Sequence, residues 1–211
     1  CRAKFIQGGL PADRIVVKPN FVDLPAPPAL PRQGALFVGR LSPEKGISVL
    51  AEAARRVPDC AITVVGTGPG EPVLAGLRNM HLRGFCDAGG VHSAMHSASW
   101  LVLPSIWYEN FPRTLVEAFA CGLPVLASRL GALADLVREG ETGLLFEPGN
   151  AGDLARKMAW AQAHPEAMAR MGQNARAEYE ANYTAAINYR QLTAIYDEAI
   201  EANSNEKRGR G

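Results

Sequence analysis

From Ala35 onward, short apolar runs alternate with segments of helical spacing. The runs are Leu36-Phe37-Val38, Ala61 to Val65, Met80 to Arg83, Trp100-Leu101-Val102-Leu103, Pro124 to Ala127 and Gly143 to Phe146. Between them lie Pro43 to Val57, about Glu71 to Arg78, Val91 to Ala98, Pro112 to Cys121 and Ala134 to Val137. Ser42 is placed to cap the first of these helices, with Pro43 at its first position. Continuously apolar strands joined by helices predict a parallel sheet covered on both faces. The expected fold is therefore α/β, a doubly wound parallel (Rossmann-like) sheet over about residues 34–150. Ligands of such a sheet bind outside the carboxyl ends of its strands, so functional residues should follow the strands.

The flanks differ in character. After Gly149 the chain becomes rich in alanine and reads as C-terminal helices over Asp153 to Ala163, Pro165 to Asn182 and Thr184 to Ala202. In the last, Tyr189, Leu192, Tyr196 and Ala199 recur at helical spacing and mark one apolar face. Asn203 to Gly211 is polar and reads as a frayed tail. At the other end, residues 1–8 look like the end of a helix stopped at Gly8-Gly9, and Ile15-Val16-Val17 reads as a short strand. Five prolines between Pro19 and Pro31 then mark a linker, because proline removes donors and fixes φ. The first residue is Cys, not Met. That favours a piece of a longer protein over a lipidated N-terminus, since no polar spacer follows it.

Composition narrows the function classes. Lys plus Arg number 22 against 21 Asp plus Glu, a net charge of +1. This is no electrostatic footprint for nucleic acid. With 47% hydrophobic and 20% charged residues over 211 positions, the chain can bury a sizeable core without disulfide staples. Gly and Pro together number 36, well above the usual combined share of about 12%, which points to many tight connections. The four cysteines (1, 60, 86 and 121) form no C-x-x-C or metal spacing; this suits a reducing, cytoplasmic compartment. No apolar stretch approaches the length of a membrane span.

The richest chemistry lies at Ile106 to Phe119. This segment follows a strand and opens a helix at Pro112, so the amides of Arg113, Thr114 and Leu115 should point outward and form an anion site. Glu117, among apolar neighbours on that helix, needs donors. Ribose hydroxyls and a nearby Arg or Lys satisfy it equally well. Glu109 precedes the helix, where the dipole favours a carboxylate by about 0.3–1 kcal/mol. On the same rim, Gly39 to Gly46 places Arg40 and Lys45 after the first strand, suited to phosphate as fork and point charge. A solvated loop with a Glu44–Arg40 pair is the alternative. Gly66-Thr67-Gly68 permits close backbone approach, but Glu71 stands where a dinucleotide fingerprint requires glycine.

Other features carry less. His92 and His96 lack a third ligand and read as surface histidines, so no metal is expected. There is no D-x-D, no G-x-S-x-G and no P-loop, and Glu139 and Glu141 flank a turn.

Together these residues resemble a known family. Glu109 and Glu117 look like the E-x7-E motif of retaining glycosyltransferases of family 4. Pro19-Asn20-Phe21-Val22-Asp23, Val38-Gly39-Arg40 with Glu44-Lys45-Gly46, Val65 to Pro69, Leu103-Pro104-Ser105, Glu117 to Val125 and Glu141 to Phe146 follow in the family's order over about residues 19–150. The resemblance implies one half of a GT-B fold, the C-terminal, donor-binding half of an enzyme that transfers sugar from a nucleotide-diphosphate sugar with retention. It places the diphosphate on Arg40 and Lys45, the sugar hydroxyls on Glu109 and the ribose on Glu117. Catalysis would rest on Glu109, Arg40 and Lys45. Gly39, Gly66, Gly68, Asn110, Phe111, Thr114 and Leu115 would line the donor site, and Gly84 and Phe85 would lie near the base. No cofactor beyond the donor is implied. Residues 1–33 would close a preceding acceptor-binding domain and provide the linker, 34–183 would be the donor-binding domain, and 184–202 a helix crossing back to its partner. An isolated chain would then self-associate through that helix and lack turnover, and the whole enzyme could sit peripherally on the inner membrane. Asn110 and Pro112 replace two glycines common in the family, which touches the sugar side more than the phosphate side. A GT-B sugar-nucleotide epimerase, a nucleotide-sugar binding module without turnover and a nicotinamide oxidoreductase are the competing readings; the missing fingerprint argues against the last.

Overall fold

The computed structural model describes residues 2–25 and 31–208. Cys1, the linker prolines 27 and 28, and the last three residues of the tail lie outside the described residues. The strands are β1 (Ala35–Val38), β2 (Ile62–Val65), β3 (Met80–Leu82), β4 (Trp100–Leu103), β5 (Val125–Ser128) and β6 (Gly143–Phe146). The helices are α1 (Arg2–Gln7), α2 (Ile47–Arg56), α3 (Glu71–Leu74), α4 (Ala88–Ser97), α5 (Arg113–Ala120), α6 (Gly131–Leu136), α7 (Ala151–Ala163), α8 (Pro165–Asn182) and α9 (Ala185–Arg208).

All strand pairs are parallel, in the order β3-β2-β1-β4-β5-β6. The register sets Ala35 opposite both Ile62 and Trp100, and Leu101 opposite Val125. Alternation along the strands splits the core in two. Phe37, Ile62, Val64, Val102, Leu126, Leu144 and Phe146 face α2 and α7, whereas Leu36, Leu101, Leu103, Val125 and Leu145 face α4 and α5. Both faces are apolar because helices cover both. Each such side chain taken from water contributes about 1.5–3 kcal/mol. The strand order reverses between β1 and β4, and a crevice opens there beyond their carboxyl ends.

Several boundaries differ from the sequence reading, each for a local reason. Ile15 to Val17 form no strand: Ile15 is extended but its carbonyl accepts from the Arg2 side chain at 3.0 Å, Val16 and Val17 are exposed, and among the described residues no strand pairs with them. Helix formation after β1 comes in two steps: a 3-10 turn over Pro43–Lys45, then α2, because Gly46 adopts the left-handed conformation between them (φ 73°). The Ser42 hydroxyl makes no cap; it donates to Glu44 Oε1 at 2.7 Å. α3 ends at Leu74 rather than Arg78, and α4 begins earlier than expected, where the Asp87 side chain accepts from the Gly90 amide. α9 continues to Arg208, so most of the expected frayed tail is helical.

The proline-rich N-terminal segment is anchored by polar contacts. Tyr179 Oη donates to the Val22 carbonyl at 3.1 Å and Asn188 Nδ2 to the Pro19 carbonyl at 2.9 Å. Tyr189, Tyr196 and Ile200 on α9 are exposed. No helix among the described residues is long and apolar enough to cross a membrane.

Candidate functional site

The loops after β1 and β4 meet over the crevice. Gly46 permits their contact: a Cβ there would lie 1.8 Å from the Pro104 carbonyl oxygen, so only hydrogen fits. The Ile106 amide donates to the Glu44 carbonyl at 3.0 Å and ties the same two loops. Lys45 and Glu109, 64 positions apart, are thereby brought together. Lys45 Nζ donates to Glu109 Oε1 at 2.5 Å, and Ser105 Oγ donates to the same oxygen at 2.8 Å. The pair is partly shielded, with 32% of the lysine and 22% of the glutamate side chain exposed. A small cavity of about 130 Å³ opens here, lined by Gly39, Lys45, Ser105, Glu109, Phe111 and Thr114, among others.

Arg40 stands outside this cavity, exposed, with Nη2 at 2.6 Å from Glu44 Oε1. The paired arrangement weighed for this loop is thus the one present. Bonds from the Ser42 hydroxyl first, then from its own backbone amide, with a smaller contribution from Arg40, hold the Glu44 carboxyl at about 2. Arg40, Lys45 and Glu109 all lie at the carboxyl end of the sheet, as a shared site requires.

The start of α5 differs from expectation in one respect. Pro112 is extended (ψ 100°) and acts as the N-cap, so the helix opens at Arg113. The Leu115 amide donates to the Pro112 carbonyl at 3.0 Å and is not available to an anion. The amides of Arg113 and Thr114 occupy first-turn positions with no acceptor inside the helix. Glu117 meets the Arg113 side chain, Nε to Oε1 at 3.0 Å, the ion-pair alternative of the two weighed for it.

The glycines after β2 serve the loops themselves. A Cβ on Gly66 would come within 1.9 Å of the Gly39 carbonyl oxygen, and one on Gly68 within 2.5 Å of the Leu41 carbonyl oxygen. The Gly66 amide donates to the Gly84 carbonyl at 2.8 Å, which places the loop after β3 on the same rim. Phe85 projects from it, 80% exposed. Asn110 is exposed, and Phe111 packs edge-on against Tyr183 with ring centroids 6.1 Å apart. Ser105 was not among the expected site residues, although it stands two positions beyond β4 on the same rim as Glu109 and bonds to it. Among the described residues no three His, Cys, Asp or Glu side chains gather as a metal site.

Comparison with known proteins bears on this geometry. The D-rhamnosyltransferase WbpZ of Pseudomonas aeruginosa is 31% identical over 158 residues, which cover 71% of this chain and 41% of that protein. The chain spans less than half the length of the curated relatives it matches. Among solved structures, sucrose-phosphate synthase from Thermosynechococcus elongatus superposes with a TM-score of 0.76 at 27% identity, over 87% of this chain and 52% of that one. Anabaena Alr3699/HepE, solved in complex with UDP and glucose, superposes with a TM-score of 0.81 at 23% identity, over 93% and 60% of the two chains. The parallel six-stranded sheet is the Rossmann-like sheet of GT-B glycosyltransferases. The family model for glycosyl transferases group 1 matches residues 31–178, and the chain belongs to that family.

Proposed function

We propose that this chain is the donor-binding half of a retaining GT-B glycosyltransferase, taking a nucleotide-diphosphate sugar and serving its transfer to an acceptor. The observation that carries this reading is the contact between Lys45 and Glu109 at the β1–β4 crevice, beside the opening turn of α5. Lys45 and Arg40 supply positive charge for the diphosphate, and the amides of Arg113 and Thr114 add donors that need no reorganisation as the leaving group gains charge. Glu109, held by Ser105, faces the sugar hydroxyls, and Glu117 takes the ribose hydroxyls in exchange for part of its bond to Arg113. Gly84 and Phe85 flank the base. UDP and glucose bound in Anabaena HepE support the same ligand class here. Acceptor recognition belongs to a preceding domain, and α9 crosses back to it.

Calorimetry with a panel of nucleoside diphosphates tests the reading. Arg40→Ala should weaken the best diphosphate by about 1.5–3 kcal/mol, the value of a charge-assisted bond. Unchanged affinity in both Arg40→Ala and Lys45→Ala would remove this rim from the donor site. Release of free nucleotide only when acceptor is added would separate transfer from epimerisation in the two-domain enzyme.

A further inference from the structure

A second, larger cavity of about 860 Å³ lies at the opposite end of the sheet, where Gly34, Ala61, Trp100 and Pro124 begin the strands or immediately precede them. It is far larger than the crevice at the carboxyl ends and shares none of its lining residues. Its volume falls within the range of small-molecule sites. Its wall is largely apolar: Trp100, Pro124, Ala161, Pro165 and Met168 contribute.

Two guanidinium groups stand on this wall, and they differ. Arg176 has a counter-ion, Glu180, 2.7 Å from its Nε. Arg32 has none: among the described residues no carboxylate forms an ion pair with it. Its Nη1 donates to the carbonyls of Ala98 at 3.3 Å and Met95 at 3.4 Å, and its Nη2 to the Cys121 carbonyl at 2.6 Å. Arginine carries five N–H donors. Three such bonds leave two, one on Nε and one on Nη2, enough for the two oxygens of one carboxylate. Burial lowers the Arg32 pKa from its ordinary value, the mark of a cation short of solvation. A half-buried cation satisfied only by neutral carbonyls gains from an anion beside it. A second polar group is also unsatisfied. Trp100 is 3% exposed, and its indole N–H has no acceptor among the described residues. Asp59 is the acidic residue on the wall; its backbone carbonyl accepts from Gln162 Nε2 at 3.3 Å.

We propose that this cavity binds an amphipathic monocarboxylate, its head group on Arg32 and its apolar body along Pro165 and Ala169, over the buried Trp100 and Met168. The site is independent of the donor reading and lies at the other pole of the strands. The cavity can thus be occupied while the crevice is free.

Titration calorimetry of the 211-residue chain with octanoate and decanoate, below their micellar concentrations, tests this. One-to-one saturable binding is expected. Two further methylenes should tighten it about fifteenfold, from ~0.8 kcal/mol per buried methylene. Decanol, with the same body and no charge, should bind at least tenfold more weakly than decanoate, and decyltrimethylammonium not at all. Arg32→Gln should lose at least tenfold for decanoate while leaving decanol unchanged. Because Arg32 also holds three carbonyls, a second variant guards against loss of fold. Ala169→Trp adds bulk to the cavity wall from an exposed position of α8 and should abolish binding of both alkanoates. Nucleoside diphosphate affinity should be the same in that variant as in the parent chain. No saturable binding of decanoate, equal affinity for decanol, or undiminished decanoate binding in Ala169→Trp would each overturn the proposal.

Discussion

Replacing Gly46 with alanine should separate the two loops that make the crevice. Two costs arise at this position. The residue sits at φ 73°, where a β-carbon costs about 1–2 kcal/mol. That carbon would also lie 1.8 Å from the Pro104 carbonyl oxygen, a contact that must open by more than 1 Å. Forcing atoms into a packed contact costs roughly 1–3 kcal/mol more. The sum, about 2–5 kcal/mol, corresponds to a fall in Tm of roughly 4–20 °C at about 2–4 °C per kcal/mol for a chain of this size. Gly76→Ala is the matched control, because Gly76 has a similar φ of 81° and open space around its Cβ. It should lose only the conformational part, about 1–2 kcal/mol. Thermal melts and denaturant midpoints of both variants read the difference. Displacing Pro104 also moves Ser105, which holds Glu109, so Gly46→Ala should weaken nucleoside diphosphate binding and Gly76→Ala should not. Equal destabilisation by the two variants would refute the reasoning, since it would mean that the Pro104 contact carries no energy.

The other predictions concern titration and reactivity. The Glu44 carboxyl, held at about 2, should titrate well below ordinary carboxylates in carbon-detected NMR, and Ser42→Ala should return it toward the usual range. Because its folded pKa is depressed, its contribution to stability is complete above the unfolded value of about 4.3 and is lost as pH falls toward 2. Burial raises Cys60 and Cys121 to about 11, so both should resist alkylation at pH 8 until the chain unfolds, as mass spectrometry of labelled peptides would show. Their contribution runs in the opposite direction: it is complete below the unfolded thiol value and fades as pH rises toward 11.

The alternation of apolar runs and helical segments was enough to place six strands and a doubly wound sheet, because strands buried on both faces must be apolar at every position. The placement of Glu109, Arg40 and Lys45 on the carboxyl rim was legible for a related reason: each follows a strand, and the loops after the strands gather at that end of such a sheet. Ile15 to Val17 misled because a β-branched run satisfies strand propensity, yet a strand also needs a neighbour to bond with. Pro112 misled by one residue, since proline fits both the cap and the first turn, and its ψ decides which amides remain available. Ser105 stood within the Leu103-Pro104-Ser105 match, just past β4, but no sequence pattern assigned it a role; its bond to Glu109 does.

Sequence alone determined the class of fold and which candidate residues follow the strands, because these follow from local periodicity and from glycine, proline and charge at strand ends. Only the tertiary structure decided which of them meet. Lys45 reaches Glu109 rather than standing free, Arg40 and Glu117 take neighbours on their own segments, and Arg32 enters a wall of carbonyls without a counter-ion. Contacts across 64 or 89 positions depend on strand order and on the close approach of two loops at a single glycine. No one-dimensional pattern encodes that approach, because its energy arises from atoms that become neighbours only after the sheet has formed.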